Sequence, residues 1–527
     1  MRPPYAKSIL ALAPEGPKMR VLYVTSEAEP LAKSGGLADV SRALPIALRQ
    51  QGIDVRILLP GYPGAIRQLK NPRIEARLEP LLGLEGAALI SGQLPGSDVP
   101  VWLVHAQSLF SRPGGLYQDD GGREWADNAQ RFAFLARVAV EIATGRLLDW
   151  QPDIVHANDW HAGLLPLLLS TETGTKPPTI FTIHNLAFQG NFPRDVLPAI
   201  DVPERFFTAE GLEFYGQVSY LKAAIRYSEK ITTVSPTYAR EVLSPEFGSG
   251  LDGMLRSREE DFCGILNGID TDLWNPETDR YLARAFSARD ISGKRICKAE
   301  LQREFGLEVS SETPVIGFVS RLAHQKMADV IRDAIPSIVE SGAQFVLVGE
   351  GDPALEAAFE ELGLQYPSQI AIHIGYEEAL AHRLQAGADI LLAPARFEPC
   401  GLTQLYASRY GTIPLVRKTG GLADTVTDAT AATLSDRTAT GFVFEDENLP
   451  GLLQVIDRAL TLYKEPLTWR RLQLQAMARD FSWNISATKY AALYHEAAGI
   501  PYSLLPPLAE SSLLPPAIAA SFIQAAS

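Results

Sequence analysis

Two doubly wound α/β domains facing each other across a cleft are the fold class this sequence predicts, on three observations. Its 527 residues exceed what one ordinary core serves and suit two or three domains. Compact apolar runs alternate with helix-length amphipathic stretches, and after a polar stretch around residues 280–300 the alternation starts again. Finally, the phrase KSGGLADV, from Lys33, returns 385 residues later as KTGGLADT, from Lys418, with six of eight positions identical. One such phrase per domain is the simplest reading.

Taken in order, residues 1–18 carry a short apolar stretch followed by Pro14 and Glu15, a poor secretory signal, and are expected to form a disordered leader. Met19, directly before the first strand, reads as a candidate start. VLYVTS is a buried strand; LADVSRALPIALRQQG then places Leu37, Val40, Leu44 and Leu48 on one helical face, with Gly52 as its stop. DVRILLP, DIVHA, TIFTIH, KITTVS and CGILNG continue a first domain spanning 19–285. VIGFVSR, QFVLVGEGD, IAIHIGY, DILLAPARF and TIPLVRKTGG build a second over 290–480. A helix over 481–500 is expected to return to the first domain, before a Pro/Ser-rich, loosely ordered tail at 501–527. Strand–helix alternation implies mostly parallel sheets covered on both faces. Such sheets bind ligands beyond the carboxyl ends of their strands, which places the chemistry in the interdomain cleft.

Composition narrows the function. Hydrophobic residues at 46% and charged residues at 21% are the balance of a soluble enzyme. A net charge of −14 argues against nucleic acid as partner, since phosphate-dominated binding needs clustered Lys and Arg. Cys263, Cys297 and Cys400 form neither a disulfide framework nor a metal spacing, which fits a reducing, cytoplasmic setting. The sequence contains no apolar run of the ~18 residues a membrane span needs.

Several stretches carry chemistry. At Lys33-Ser34-Gly35-Gly36 a strand feeds a glycine pair that opens a helix, so backbone N–H groups converge either on an anion or in an ordinary glycine turn. GEGDPA, Gly349 to Ala354, matches a loose dinucleotide fingerprint and keeps an oxidoreductase as a rival. In VSRLAHQK, Arg321 and Lys326 follow a strand end and suit either a diphosphate or a solvated surface. ARFEPCGLTQLY puts Glu398 at a strand end beside the helix start Gly401-Leu402-Thr403; Cys400 reads equally as a small buried apolar residue. HANDWHAG supplies His156, Asp159 and His161, and IHNLAFQG supplies His184 and Asn185. Their spacing lacks the carboxylate or cysteine partner of a metal site, and no nucleophile elbow of the serine hydrolases is present.

The phrases SEAEPLAKSGGLADV, HANDWHAGLLP, TIHNLAFQGNF, EFYGQVSYLKAAI, ITTVSPTYARE, ILNGIDTDLWNPETD, VSRLAHQK and RFEPCGLTQLYASRYGTIPLVRKTGGLADTV resemble the bacterial and plant-type glycogen/starch synthases, in family order from about residue 20 to 495. That resemblance implies the GT-B architecture and retaining transfer of glucose from ADP-glucose to the nonreducing 4-hydroxyl of an α-1,4-glucan, with no cofactor and no metal. It further implies that Lys33, Gly35 and Gly36 belong to the donor site and that Arg321 and Lys326 neutralise the diphosphate. Tyr376 would pack near the adenine; Asp159, His184, Asn267 and Glu398 would surround the glucose; Cys400, Gly401, Leu402 and Thr403 would cradle the distal phosphate. Two positions depart from commoner patterns. Met327 stands where the family usually has glycine, and Tyr406 stands where many retaining relatives carry a second glutamate, as it does across the glycogen-synthase branch. An inactive glucan-binding protein is the remaining rival, and the oligomeric state is not legible.

Overall fold

A computed structural model describes residues 18–501; the expectations for the leader and the tail otherwise lie outside the described residues. The first unit contains β1 (Arg20–Val24), β2 (Asp54–Pro60), β3 (Lys70–Arg77), β4 (Ala88–Gln93), β5 (Pro100–His105), β6 (Ile154–Asn158) and β7 (Thr179–Ile183). It continues with β8 (Asn191–Pro193), β9 (Glu213–Phe214), β10 (Gln217–Ser219), β11 (Lys230–Thr233) and β12 (Phe262–Gly264). Among the described residues its main sheet runs β12-β11-β7-β6-β1-β2-β5-β4-β3, with β8, β9 and β10 in a separate small sheet. Pairing is parallel from β12 to β5 and antiparallel at β4 and β3. The central strands β6 and β7 are buried along their whole length, with the polar side chains His156, Asn158 and Thr182 hydrogen-bonded inside the unit. The helix Gly36–Gln50 buries Leu37, Val40, Leu44 and Leu48 and yields to Gly52 at φ +88°, a conformation open to glycine.

The second unit holds β13 (Val315–Val319), β14 (Gln344–Gly349), β15 (Ile370–Ile374), β16 (Ile390–Leu392), β17 (Ile413–Arg417) and β18 (Phe442–Phe444). They form one parallel sheet ordered β15-β14-β13-β16-β17-β18. The alternation of the sequence anticipates most of these strands. It misses β5, the β3–β4 edge, the small sheet and β18. Strand β3 is exposed almost throughout and has no apolar run to betray it. CGILNG also misplaces its strand: β12 ends at Gly264, and Ile265 to Asp270 leave the sheet towards the second unit.

Each sheet reverses its winding once, between β1 and β6 in the first and between β13 and β16 in the second. Adjacent loops diverge at such points and leave a crevice. The loops after β1, β6 and β7 carry Lys33, Asp159 and His184; those after β13 and β16 carry Arg321, Lys326 and Glu398. Both reversals therefore deliver the polar candidates.

The chain crosses between units twice, and the crossings are tied together: Ile269 N–H donates to the Phe481 carbonyl at 2.8 Å. After the second crossing, the helix Trp483–Ala497 packs on the first unit and buries Trp483, Tyr490 and Tyr494 in its core. Tyr494 Oη lies 2.8 Å from His156 Nδ1, and His156 Nε2 lies 2.7 Å from Thr182 Oγ1, all fully buried. Burial holds the His156 pKa down at about 3, so this imidazole stays neutral and acts as a structural relay. Tyr494→Phe is expected to leave a buried ring nitrogen unpaired and lower unfolding free energy by about 1–3 kcal/mol. Chemical denaturation measures this, and an unchanged midpoint would show that the helix docks by apolar contact alone.

Candidate active site

At the end of β1, Glu27 folds back onto the Lys33 loop. Its carboxylate accepts from Ser34 N–H (2.7 Å), Ser34 Oγ (2.7 Å), Gly35 N–H (3.1 Å) and Tyr117 Oη (2.6 Å). The converging amides expected from the sequence thus exist, but two of them hold the protein's own anion. Lys33 is tied to Asp39 at 2.7 Å. Desolvation opposes its charge, yet Asp39 outweighs it and raises the Lys33 pKa, so the ammonium persists. Its field also reaches Tyr376 across the cleft, a ring 57% exposed at the end of β15. A β-carbon added at Gly35 would meet nothing within 4 Å, and one at Gly36 only Leu402 Cδ1 at 3.7 Å. These glycines face open space.

Asp159, just past β6, is 7% exposed and adopts φ +57°, ψ 177°, a backbone that costs a non-glycine residue about 1–3 kcal/mol. Its carboxylate accepts from the backbone N–H groups of His184 and Asn185. Burial nevertheless pushes its pKa up to about 7. His184 Nε2 lies 3.1 Å from Asn158 Oδ1, whose amide nitrogen is engaged by the Val24 carbonyl. Nε2 therefore carries the proton and Nδ1 is left as an acceptor. Burial depresses the His184 pKa to about 3, which keeps the ring neutral.

Asn267 reaches the cleft on the first interdomain crossing. It is 6% exposed, its Oδ1 has no partner among the described residues, and its backbone N–H donates to Cys400 Sγ. Burial pushes the Cys400 thiol up to about 12, so this residue is a neutral packing group and not a nucleophile. Glu398, 8% exposed, is paired with Lys326 from the neighbouring loop. Gln325 Nε2 donates to the Phe397 carbonyl at 3.2 Å and Arg396 N–H to the Gln325 carbonyl at 2.8 Å, which lock the two loops together. Arg321 lies exposed beside them, 3.4 Å from Gln325 Oε1. Gly401 takes φ +73° and starts the helix Thr403–Arg409; among the described residues no acceptor takes the N–H groups of Gly401, Leu402 or Thr403. Tyr238 links the halves, lying within the fields of Asp159, Glu241 and Glu398 at once.

The structure also explains features the sequence left ambiguous. Met327 sits in the left-handed region at φ 51°, ψ 30°, which accounts for the family's glycine there. That backbone costs about 1–2 kcal/mol, and burying the fully enclosed Met327 side chain returns about 1.5–3 kcal/mol. Lys326 still reaches Glu398. The GEGDPA turn is already filled by protein: Leu322 N–H donates to the Glu350 carbonyl, Asp352 N–H donates to the Leu322 carbonyl, and the Asp352 carboxylate caps the following helix. It offers no cradle for a pyrophosphate. His156 lies in the core and His161 is stacked on Trp160 at 3.9 Å; among the described residues no three potential ligands cluster as a metal site. Sequence reading passed over Glu27, Tyr117 and Tyr238, whose spacing carries no motif.

Comparison with known proteins agrees with this geometry. Residues 20–257 match the starch synthase catalytic domain family and residues 302–471 the glycosyl transferases group 1 family. Similar curated proteins include the glycogen synthase of Burkholderia thailandensis, 49% identical over 90% of each chain. Glycogen synthase 1 of Methylococcus capsulatus is 48% identical, over 91% of this chain and 97% of its own. Among solved structures, the catalytic domain of starch synthase IV from Arabidopsis thaliana, bound to ADP and acarbose, superposes with a TM-score of 0.82. It is 34% identical and covers 92% of this chain and 100% of its own. A sucrose-phosphate synthase from Thermosynechococcus elongatus, at 16% identity and a TM-score of 0.57, shares the fold.

Asp159 supplies a test by pH. Its pKa rises from 3.8 to about 7 on folding, so the folded protein holds that proton more tightly than the unfolded chain. Stability is then fully present below the unfolded value and is lost as pH rises towards 7. Asp159→Asn removes the penalty, and its stability relative to wild type is expected to be ~2–3 kcal/mol more favourable at pH 8 than at pH 5. Equal differences at both pH values by chemical denaturation would show Asp159 to be an ordinary exposed-type carboxylate.

Proposed function

The chain belongs to the glycogen synthase family of GT-B glycosyltransferases, and from that premise we propose its donor, its acceptor and the part each cleft residue plays. The enzyme lengthens a glucan with glucose from a nucleotide sugar. The donor is ADP-glucose and the acceptor the nonreducing 4-hydroxyl of an α-1,4-glucan. One observation carries this reading: Tyr238 lies within the fields of both Asp159 and Glu398, which brings the Asp159–His184 pair of one strand-reversal crevice and the Lys326–Glu398 pair of the other to the same cleft, where Asn267 adjoins Cys400.

The nucleotide lies on the second unit, with the adenine against exposed Tyr376. Its diphosphate competes with Glu398 for Lys326, and Arg321 with the free amides of Gly401, Leu402 and Thr403 completes the anion site. Glu398, released from Lys326, accepts a glucose hydroxyl; Asn267 Oδ1, His184 and Asp159 meet the others, so that acceptor and donor groups on the protein both find partners. As the glycosidic bond to the β-phosphate breaks, negative charge collects on the leaving ADP while the anomeric carbon becomes cation-like. Fixed cations and amides at the phosphate stabilise that state, each such donor being worth roughly 2.7–4 kcal/mol in comparable sites. Tyr406, half-buried and stacked on Trp274, stands in place of a second carboxylate beside Glu398, and the Asp159 carboxylate is already engaged by the His184 and Asn185 N–H groups, so the cleft residues offer no free carboxylate pair for a double displacement. The glucan hydroxyl attacks from the face ADP leaves and passes its proton to the departing phosphate, which retains configuration. Three cysteines without disulfide partners fit a cytoplasmic enzyme.

Labelled ADP-glucose and labelled UDP-glucose, each incubated with glycogen, test the reading. Incorporation from ADP-glucose is expected to exceed that from UDP-glucose; no incorporation from either would refute it. The twin lysines give a second test. Lys33 faces Tyr376 across the cleft, whereas Lys418 forms a solvent-exposed pair with Glu445. Lys33→Gln is expected to raise the ADP-glucose KM by about tenfold, the worth of ~1.4 kcal/mol, with the glucan KM little changed. Lys418→Gln should alter the donor KM less, as befits an exposed pair. The reverse order would exchange the roles of the two loops.

A further inference from the structure

We infer that the short helix Pro236–Glu241 is the strut through which closure of the cleft aligns Glu398, with Glu241 as its positioning residue. The helix belongs to the first unit, and the contact it makes with the second is reciprocal. Glu241 Oε1 accepts from Gly420 N–H at 2.9 Å and from Thr419 Oγ1 at 3.1 Å. In return, the Asp424 carboxylate accepts from Thr237 N–H at 2.8 Å and Thr237 Oγ1 at 2.7 Å. Each unit thus places a carboxylate on backbone and hydroxyl donors of the other.

What Glu241 grips is the KTGGLADT turn, and that turn lies directly beneath Glu398. Gly421 N–H donates to the Glu398 carbonyl at 3.1 Å. A β-carbon at Gly420, where φ is +44°, would collide with the same carbonyl, and one at Gly421 with the Cys400 carbonyl. Backbone packed this closely cannot shift at Thr419–Gly421 without moving Glu398. The helix also reaches the opposite wall: Tyr238 Oη accepts from Leu186 N–H at 3.1 Å, two residues beyond His184. One rigid turn of helix therefore touches the backbone of both walls. Glu241 Oε2 is buried with no partner among the described residues, so the carboxylate is not placed for its own best solvation.

This inference rests on the transferase reading above and adds a role that Glu241 plays without touching either substrate. Glu241→Ala should lower kcat by about tenfold while leaving the glucan KM and the thermal midpoint unchanged, because alignment and not folding is lost. Glu241→Gln, whose amide oxygen can still accept from Gly420 N–H, should recover most of that rate. Should Glu241→Ala be insoluble, Thr419→Val deletes one donor of the clasp, leaves both carboxylates in place and is expected to cost about two- to fourfold in kcat. A kcat within experimental error of wild type in the folded variant would overturn the inference. So would a lowered midpoint that accounts for the lost rate and is not rescued by Gln. Wild type assayed alongside separates the two levels: no transfer by wild type refutes the functional reading, whereas undiminished transfer by Glu241→Ala refutes only the strut.

Discussion

Two parallel sheets can share an active site only if their carboxyl edges are held face to face, and the paired chain crossings impose that constraint. Ile269 N–H on the Phe481 carbonyl fixes the crossings against each other, and Ser486 Oγ on the Leu266 carbonyl adds a second tie at 2.5 Å. Everything near the cleft follows from this registration. Asn267 sits between these ties, so its side chain enters the site at a point fixed by both units, and its N–H meets Cys400 on the far side. A few residues on, Trp274 stacks on Tyr406 at 3.8 Å and on His382 at 3.7 Å, while buried Asp279 pairs with His382 and accepts from Tyr410. Trp274 and Phe286 thus anchor an otherwise largely exposed connecting segment onto the second unit.

The twin phrases show how one local solution serves two ends. Both place a strand, a glycine pair and a helix start in sequence, and both end with a carboxylate on the turn's donors. In the first copy that carboxylate is Glu27 from the same unit, and the glycines look into open cleft. In the second it is Glu241 from the opposite unit, and the glycines are wedged under Glu398 and Cys400. The glycines leave bulk out in both, towards open cleft in one case and towards the chain's own backbone in the other. The lysines diverge accordingly, Lys33 towards Tyr376 and Lys418 towards solvent.

How much of this was legible follows from range. Alternating apolar runs and helical faces report local burial, so the two α/β units and their parallel strands could be read directly, whereas the polar β3 edge and the two- and three-residue strands of the small sheet could not. Chemistry in the loops that follow strand ends was also visible: Asp159, His184 and Arg321 lie one or two residues past one, and Glu398 and Lys326 six and seven residues past one. Distances across the sequence were not. Tyr117 is 90 residues from the Glu27 it contacts, and Glu241 is 179 from Gly420; neither pair leaves a spacing to recognise. Free amides at Gly35 were overestimated for the same reason, since the carboxylate that fills them is placed by folding and not by the motif.

The groups left unsatisfied point the same way. Asn267 Oδ1 is buried without a partner among the described residues, Asp159 is held at a costly backbone angle with its charge resisted, and Lys326 and Glu398 face each other as a partly buried ion pair. Each would be cheaper if the cleft were lined with apolar side chains of similar volume. A fold with two large cores can carry such a debt, because the buried strands of both sheets stabilise it far from the cleft. Concentrated at one place, these unmet donors and acceptors are a preorganised environment for a polar ligand: water must reorient around a sugar diphosphate as its bond breaks, whereas groups anchored to two closed sheets are already in position.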